Sequence, residues 1–147
     1  MEIGVYDPEI DFESTLSLYA AVGWTAYAGN PERLREALAN SSLVLISTRA
    51  DRVVGLVRCI SDGQTICYIQ DILVVPEHQR FGIGKSLMQR VLNHYVNCRQ
   101  IVLMTDAEKS QRRFYESSGF REIAGDLGGY VLLRSRAFPT PTAPLPF

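Results

Sequence analysis

One stretch constrains this chain more than any other: Gln70-Asp71-Ile72-Leu73-Val74-Val75-Pro76-Glu77-His78-Gln79-Arg80-Phe81-Gly82-Ile83-Gly84-Lys85-Ser86. Its apolar, β-branched start predicts the end of a long strand over 65–75, which Pro76 stops. From Ile83 onward, Leu87, Met88, Val91, Leu92 and Tyr95 recur on one face of a helix ending near Asn97. A strand, a glycine-rich loop and a helix in that order form an anion site. Orphan N–H groups at the helix start point outward, and the helix dipole favours negative charge there. Gly82 and Gly84 let the backbone approach an oxyanion closely, and Arg80 and Lys85 add positive charge.

Three nucleotide or cofactor readings compete for this loop with a plain helix start. Gly84-Lys85-Ser86 matches the end of a phosphate-binding P-loop, but that motif needs a glycine where Gln79 stands. A dinucleotide fingerprint would place its third glycine at Leu87, in a chain too short for the full fold. The pattern Gln79-Arg80-x-Gly82-x-Gly84 is the third.

The rest of the chain supplies the frame. Residues 3–6 predict a strand, and Phe12, Leu16, Tyr19, Ala20 and Gly23 a helix to about Val22. The 23–30 segment, bounded by Gly23 and Gly29, reads as a loop. Asn30 caps a second helix, with Pro31 at its first position. Residues 43–48 and 53–60 read as a hairpin turned at Ala50-Asp51-Arg52. After the central strand and helix come a buried strand over 100–105 and a helix from an Asp106 cap to Ser118, ended by Gly119. Strands over 120–124 and 130–134 complete the order β-α-α-β-β-β-α-β-α-β-β, with 130–133 as the exposed edge. This predicts a mixed α/β domain with helices on both faces of a largely antiparallel sheet of six to seven strands. The strand–helix–strand unit over 65–105 is expected to cross over in parallel. Residues 1–136 read as one domain. Residues 137–147, with Pro139, Pro141, Pro144 and Pro146, read as an extended tail.

Composition narrows the function classes. The chain has 147 residues, 46% hydrophobic and 21% charged, a globular profile. A net charge of −1 from 15 basic and 16 acidic residues offers no electrostatic footprint for nucleic acid. Cys59, Cys67 and Cys98 fit no zinc spacing and read as buried thiols in a reducing compartment, so no metal is expected. No apolar run approaches the roughly 20 residues that span a bilayer, and the start Met1-Glu2-Ile3-Gly4 is not that of a signal peptide. A cytoplasmic protein that does not engage membranes is expected.

The loop and its surroundings resemble the GNAT superfamily of N-acetyltransferases. Gln79-Arg80-x-Gly82-x-Gly84 resembles that family's Q/R-x-x-G-x-G/A signature, which cradles the pyrophosphate of coenzyme A. Ile72-Leu73-Val74-Val75-Pro76-Glu77 is similar to the strand before it, and Phe114-Tyr115-Glu116-Ser117-Ser118-Gly119-Phe120 to the F-Y-x-x-x-G-F landmark after it. The resemblance covers about residues 3–133, includes the order of elements, and implies the GNAT fold.

It also implies acetyl-coenzyme A as co-substrate and a primary amine, on a small molecule or peptide, as acceptor. Attack would be direct, through a tetrahedral intermediate. The strand before the signature would splay from its neighbour, and Ile72, Leu73 and Val74 would pair with pantetheine. Gln79, Arg80, Phe81, Gly82, Ile83, Gly84, Lys85 and Ser86 would hold the pyrophosphate, with Phe114 beside the cofactor. Tyr115 stands where many members place the general acid, or it only hydrogen-bonds the sulfur. Asp71 is the one carboxylate beside the thioester, as a base or as a structural acceptor. Gln70 and Asp71 must point to opposite faces unless a bulge intervenes. Trp24, Tyr27 and Gln70 would wall the acceptor site. Glu108 replaces an asparagine that contacts the cofactor in several relatives, and His78 reads as a surface residue. A coenzyme sensor without turnover, an acetylase of protein lysines or N-termini, and an aminoacyl-tRNA acetylase are the rival classes. Many relatives pair through their last strands, so a homodimer is also implied.

Overall fold

The structure is a computed structural model that describes residues 1–105, 109–123 and 128–133. The elements are β1 (Glu2–Val5), α1 (Phe12–Ala21), α2 (Thr25–Ala28), α3 (Pro31–Ala39), β2 (Leu43–Arg49), β3 (Arg52–Ser61), β4 (Ile66–Val74), a 3-10 turn at Pro76–His78, α4 (Ile83–His94), β5 (Gln100–Met104), α5 (Lys109–Ser117), β6 (Arg121–Glu122) and β7 (Gly129–Leu133). Local chemistry sets most of these bounds. The Arg33 amide donates to Asn30 Oδ1 at 3.2 Å, which caps α3 as expected. Ala50 and Asp51 take positive φ in the β2–β3 turn, the conformation that suits a tight hairpin.

The strands form one sheet ordered β1-β2-β3-β4-β5-β7-β6, in which only β4 and β5 pair in parallel. Helices α1 and α3 pack one face through Phe12, Leu18, Tyr19, Leu34 and Leu38. Helix α4 covers the other through Ile83, Leu87, Met88, Val91 and Leu92, joined by Tyr115 and Phe120. Gly55 on β3 makes this approach possible, since a Cβ there would lie 2.8 Å from Ile83 Cγ2 and 3.2 Å from Leu87 Cδ1. Cys59, Cys67 and Cys98 are all buried. Among the described residues, no helix is long and apolar enough to cross a membrane.

The fold corrects three sequence expectations. The 23–30 segment contains one helical turn, α2, rather than only loop. The 130–133 strand is not the sheet edge: β7 lies between β5 and β6, through the pairs Arg121↔Val131 and Glu122↔Tyr130. Phe120 precedes β6 and is buried instead of joining it. The Asp106 cap, the Glu108 contact and the Pro-rich tail lie outside the described residues.

Two irregularities in β4 create the site. The strand pairs with β5 only from Ile66↔Gln100 to Ile69↔Leu103. From Gln70 to Val74 its β5-side edge has no strand partner among the described residues, because β5 ends at Met104, which pairs with Gly129 of β7. The second irregularity is a bulge against β3. Asp71 pairs with Arg58 while Ile69 pairs with Cys59, so Gln70 is the extra residue. Cys67 and Ile69 face the α4 side before the bulge, and Ile72 and Val74 face it afterwards. Leu73 turns to the α1/α3 side, and Asp71 with it.

Candidate active site

The open edge of β4 and the start of α4 bound a cleft of ≈ 660 Å³. Its wall includes Ile72, Val74, Gln79, Arg80, Gly82, Ile83, Gly84, Lys85, Phe114 and Tyr115, which brings together ten of the residues singled out in the sequence. Gly82 sits at φ 81°, ψ 7° as the α4 N-cap, and Arg80 at φ 68°. These left-handed turns fold the loop back on the helix. The first intrahelical bond runs from the Ser86 amide to the Gly82 carbonyl at 3.0 Å. The amides of Ile83, Gly84 and Lys85 precede that bond and carry the free positive end of the dipole. The Gln79 side chain donates through Nε2 to the Val74 carbonyl at 3.1 Å and ties the loop to the strand. A Cβ on Gly84 would sit 3.4 Å from the Phe114 ring and 3.8 Å from Val74 Cγ2, so this glycine keeps the cleft open where its two walls converge.

Three of the expected contacts do not line this cleft. Leu73 points away and pairs with Leu56 through the backbone. Phe81 is 75% exposed, and Ser86 is absent from the wall. His78, read as a surface residue, is instead half-buried in the wall, with its Nδ1 enclosed and unpartnered among the described residues. The donor set suits a diphosphate linked to an extended amide chain. Backbone N–H groups with the Arg80 and Lys85 cations can receive an anionic end, and the open strand edge can bond an extended amide chain as an added strand.

A second cavity of ≈ 380 Å³ adjoins the first, lined by Trp24, Tyr27, Gln70, Asp71, Met104, Thr105 and Gln111 among others. Tyr19, Trp24 and Tyr27 form a ring cluster with centroids 5.6–6.0 Å apart. All three residues expected at the acceptor wall, Trp24, Tyr27 and Gln70, therefore share one cavity. Asp71 is buried at its inner end. Its Oδ2 accepts from Tyr19 Oη at 2.7 Å and from Arg58 Nε at 2.7 Å, while Oδ1 has no partner among the described residues. Burial, then the adjacent Asp71 charge, raise the Tyr19 pKa, so Tyr19 remains a neutral donor. Arg58 also reaches Ser41 Oγ at 3.4 Å.

Tyr115 lines both cavities. It is packed among Phe114, Phe120 and Tyr130 with centroids 5.0–6.1 Å away. Burial pushes its phenol up to about 12, partly offset by the Thr105 hydroxyl. Gln111, Thr105, Tyr19 and Arg58 were missed by sequence reasoning. Tyr19 sits at core spacing on α1, and the one sequence signal for Arg58 is a lone basic residue between Val57 and Cys59 in an apolar strand. Among the described residues, no group of His, Cys, Asp and Glu is placed to hold a metal ion.

Comparison with known proteins agrees with this geometry. The family model of the acetyltransferase (GNAT) domain matches residues 14–128. A solved GNAT-family acetyltransferase from Streptococcus pneumoniae, SP0256, superposes with a TM-score of 0.70 at 37% identity, over 82% of this chain and 88% of that one. The PaiA N-acetyltransferase of Thermoplasma acidophilum, solved with coenzyme A, has a TM-score of 0.75 at 17% identity, over 90% and 98% of the two chains, a likeness of fold alone. A rice protein named serotonin N-acetyltransferase 2, chloroplastic, is 28% identical over 131 residues, 86% of this chain and 64% of its own. The chain spans less than two thirds of the length of the curated relatives it matches. With the domain model covering most of the sequence and the pneumococcal protein aligned along most of both chains, this chain belongs to the GNAT family of acetyltransferases.

Proposed function

We propose that the chain is an acetyl-coenzyme A-dependent N-acetyltransferase whose acceptor is a small primary amine with an apolar or aromatic substituent. One observation carries this reading. The cleft opened where β4 leaves β5 runs from the anion-binding start of α4 to Tyr115, and there meets a separate aromatic-walled cavity. The name of the rice relative points to an aromatic amine, and Trp24 and Tyr27 provide a surface that fits one.

In this reading the α4 amides, Arg80 and Lys85 hold the pyrophosphate, and Ile72 and Val74 present backbone groups to pantetheine. An N–H on this segment polarises the thioester carbonyl. The amine nitrogen, neutral when it attacks, bonds to the carbonyl carbon. The C–S bond then breaks, sulfur leaves with the electron pair, and the surplus amine proton passes to solvent. Tyr115 faces the departing sulfur. Moving a proton from a phenol near 12 to a thiolate near 8.5 is uphill by roughly 5 kcal/mol. Tyr115 therefore stabilises the thiolate as a hydrogen-bond donor and is not the net proton source. Asp71 acts at the acceptor end through Oδ1, with Oδ2 already occupied by Tyr19 and Arg58.

That occupancy also favours a second reading, a coenzyme sensor in which Asp71 is purely structural. Titration calorimetry with acetyl-coenzyme A, followed by thiol release across a panel of aryl- and alkylamines, separates the two. Micromolar binding with turnover on one amine class supports the enzyme. Binding without turnover supports the sensor, and absence of binding sinks both. Within the enzyme reading, Trp24→Ala raises the amine KM and leaves coenzyme affinity unchanged.

A further inference from the structure

Gln111 lies where the two cavities meet. Among the described residues, only Ile72, Gln111 and Tyr115 line both of them. An acyl group carried in the coenzyme cleft and attacked from the acceptor cavity has to sit at this junction, so the inference rests on the acetyltransferase reading. Gln111 is half-buried, one helical turn before Tyr115 on α5, and so shares its face. Its side chain is held in place, because Thr105 Oγ1 donates to Gln111 Oε1. Thr105 is itself anchored, its amide donating to the Gly128 carbonyl at 2.8 Å. A tethered amide of this size is a wall rather than a swinging gate.

We propose that Gln111 sets the length of the acyl group this chain accepts. A two-carbon acyl group ends before the Gln111 side chain, whereas a longer one has to displace it or lie against its polar amide. Removing the side chain beyond Cβ opens a path from the junction into the acceptor cavity. Substituting leucine keeps the bulk and loses the Thr105 bond, so the pair Gln111→Ala and Gln111→Leu separates volume from hydrogen bonding.

The test is calorimetric affinity of the wild type and both variants for acetyl-coenzyme A and butyryl-coenzyme A, with thiol release as a second readout. The expected result is a butyryl-to-acetyl affinity ratio about tenfold higher in Gln111→Ala than in the wild type, the gain from burying two more methylene groups. Gln111→Leu is expected to stay within about threefold of the wild-type ratio, below half of that free-energy gain. An unchanged ratio in Gln111→Ala overturns the proposal, as does a Gln111→Leu ratio that rises as far as that of Gln111→Ala. A wild type that binds neither thioester overturns the coenzyme reading itself, and this proposal with it.

Discussion

Arg58 Nε lies 2.7 Å from Asp71 Oδ2, and the two residues are direct register partners across β3 and β4, both almost wholly enclosed. Asp71 lines the second cavity, and the pair binds the bulged segment of β4 to its neighbour. Removing one charge leaves the other buried without a counter-ion. Arg58→Leu is therefore expected to cost about 3–5 kcal/mol, read as a fall in the urea midpoint. Adding Asp71→Asn to it restores part of the loss, since the orphan charge is then gone. A double variant no more stable than Arg58→Leu alone contradicts this account.

Gly82 tests the coenzyme loop through its backbone. No atom of the described residues lies within 4 Å of a Cβ built there, so φ 81° is what opposes a Cβ at this position. Gly82→Val is expected to keep the circular dichroism spectrum and to lose acetyl-coenzyme A affinity by at least about tenfold. The reason is that a β-branched residue resists the left-handed region and turns the loop amides away. Unchanged affinity would remove this loop from the pyrophosphate site.

Gly55 tests the same site from beneath. Gly55→Ala pushes a methyl against Ile83 and Leu87 at the base of α4. Overpacking of this kind costs about 1–3 kcal/mol. Coenzyme affinity should fall along with stability, because the displaced turn carries the anion-binding amides. Affinity that survives a clear drop in melting temperature would show that α4 yields without moving its first turn.

Tyr115 makes a kinetic and a pH prediction. Tyr115→Phe is expected to lower kcat by roughly 10- to 1,000-fold with coenzyme affinity nearly unchanged, the pattern for losing a donor used in the transition state. Its folded pKa of about 12 lies above the unfolded value near 10, so the folded state holds the proton more tightly. The resulting stability is present below pH 10 and is lost as pH rises from 10 to about 12. Tyr19, also raised, contributes in the same direction. Denaturant midpoints measured across this window should fall less steeply in Tyr115→Phe than in the wild type.

Much of the site is local chemistry and was legible in the chain. The proline stop, the glycines at 82 and 84 and the apolar face from Ile83 to Tyr95 specify a strand, a tight loop and a helix start, whatever packs around them. The Asn30 cap and the Ala50-Asp51 turn are equally local. The aromatic pair Trp24 and Tyr27 was visible, though not the helical turn that presents it, because four residues carry too little periodicity to announce a helix.

What tertiary structure alone decided is which way side chains face and where strands part. The bulge at Gln70 exists because β3 and β4 pair in registers that differ by one residue on its two sides, a property of two strands that neither sequence shows by itself. That single extra residue puts Asp71 and Leu73 on the α1/α3 side and leaves Ile72 and Val74 to line the cleft. The cleft depends in turn on β5 ending at Met104 while β4 runs on. Arg58, Tyr19 and Gln111 became part of the site by the same route. Each has ordinary neighbours along the chain and gains its role from a partner brought close only by folding.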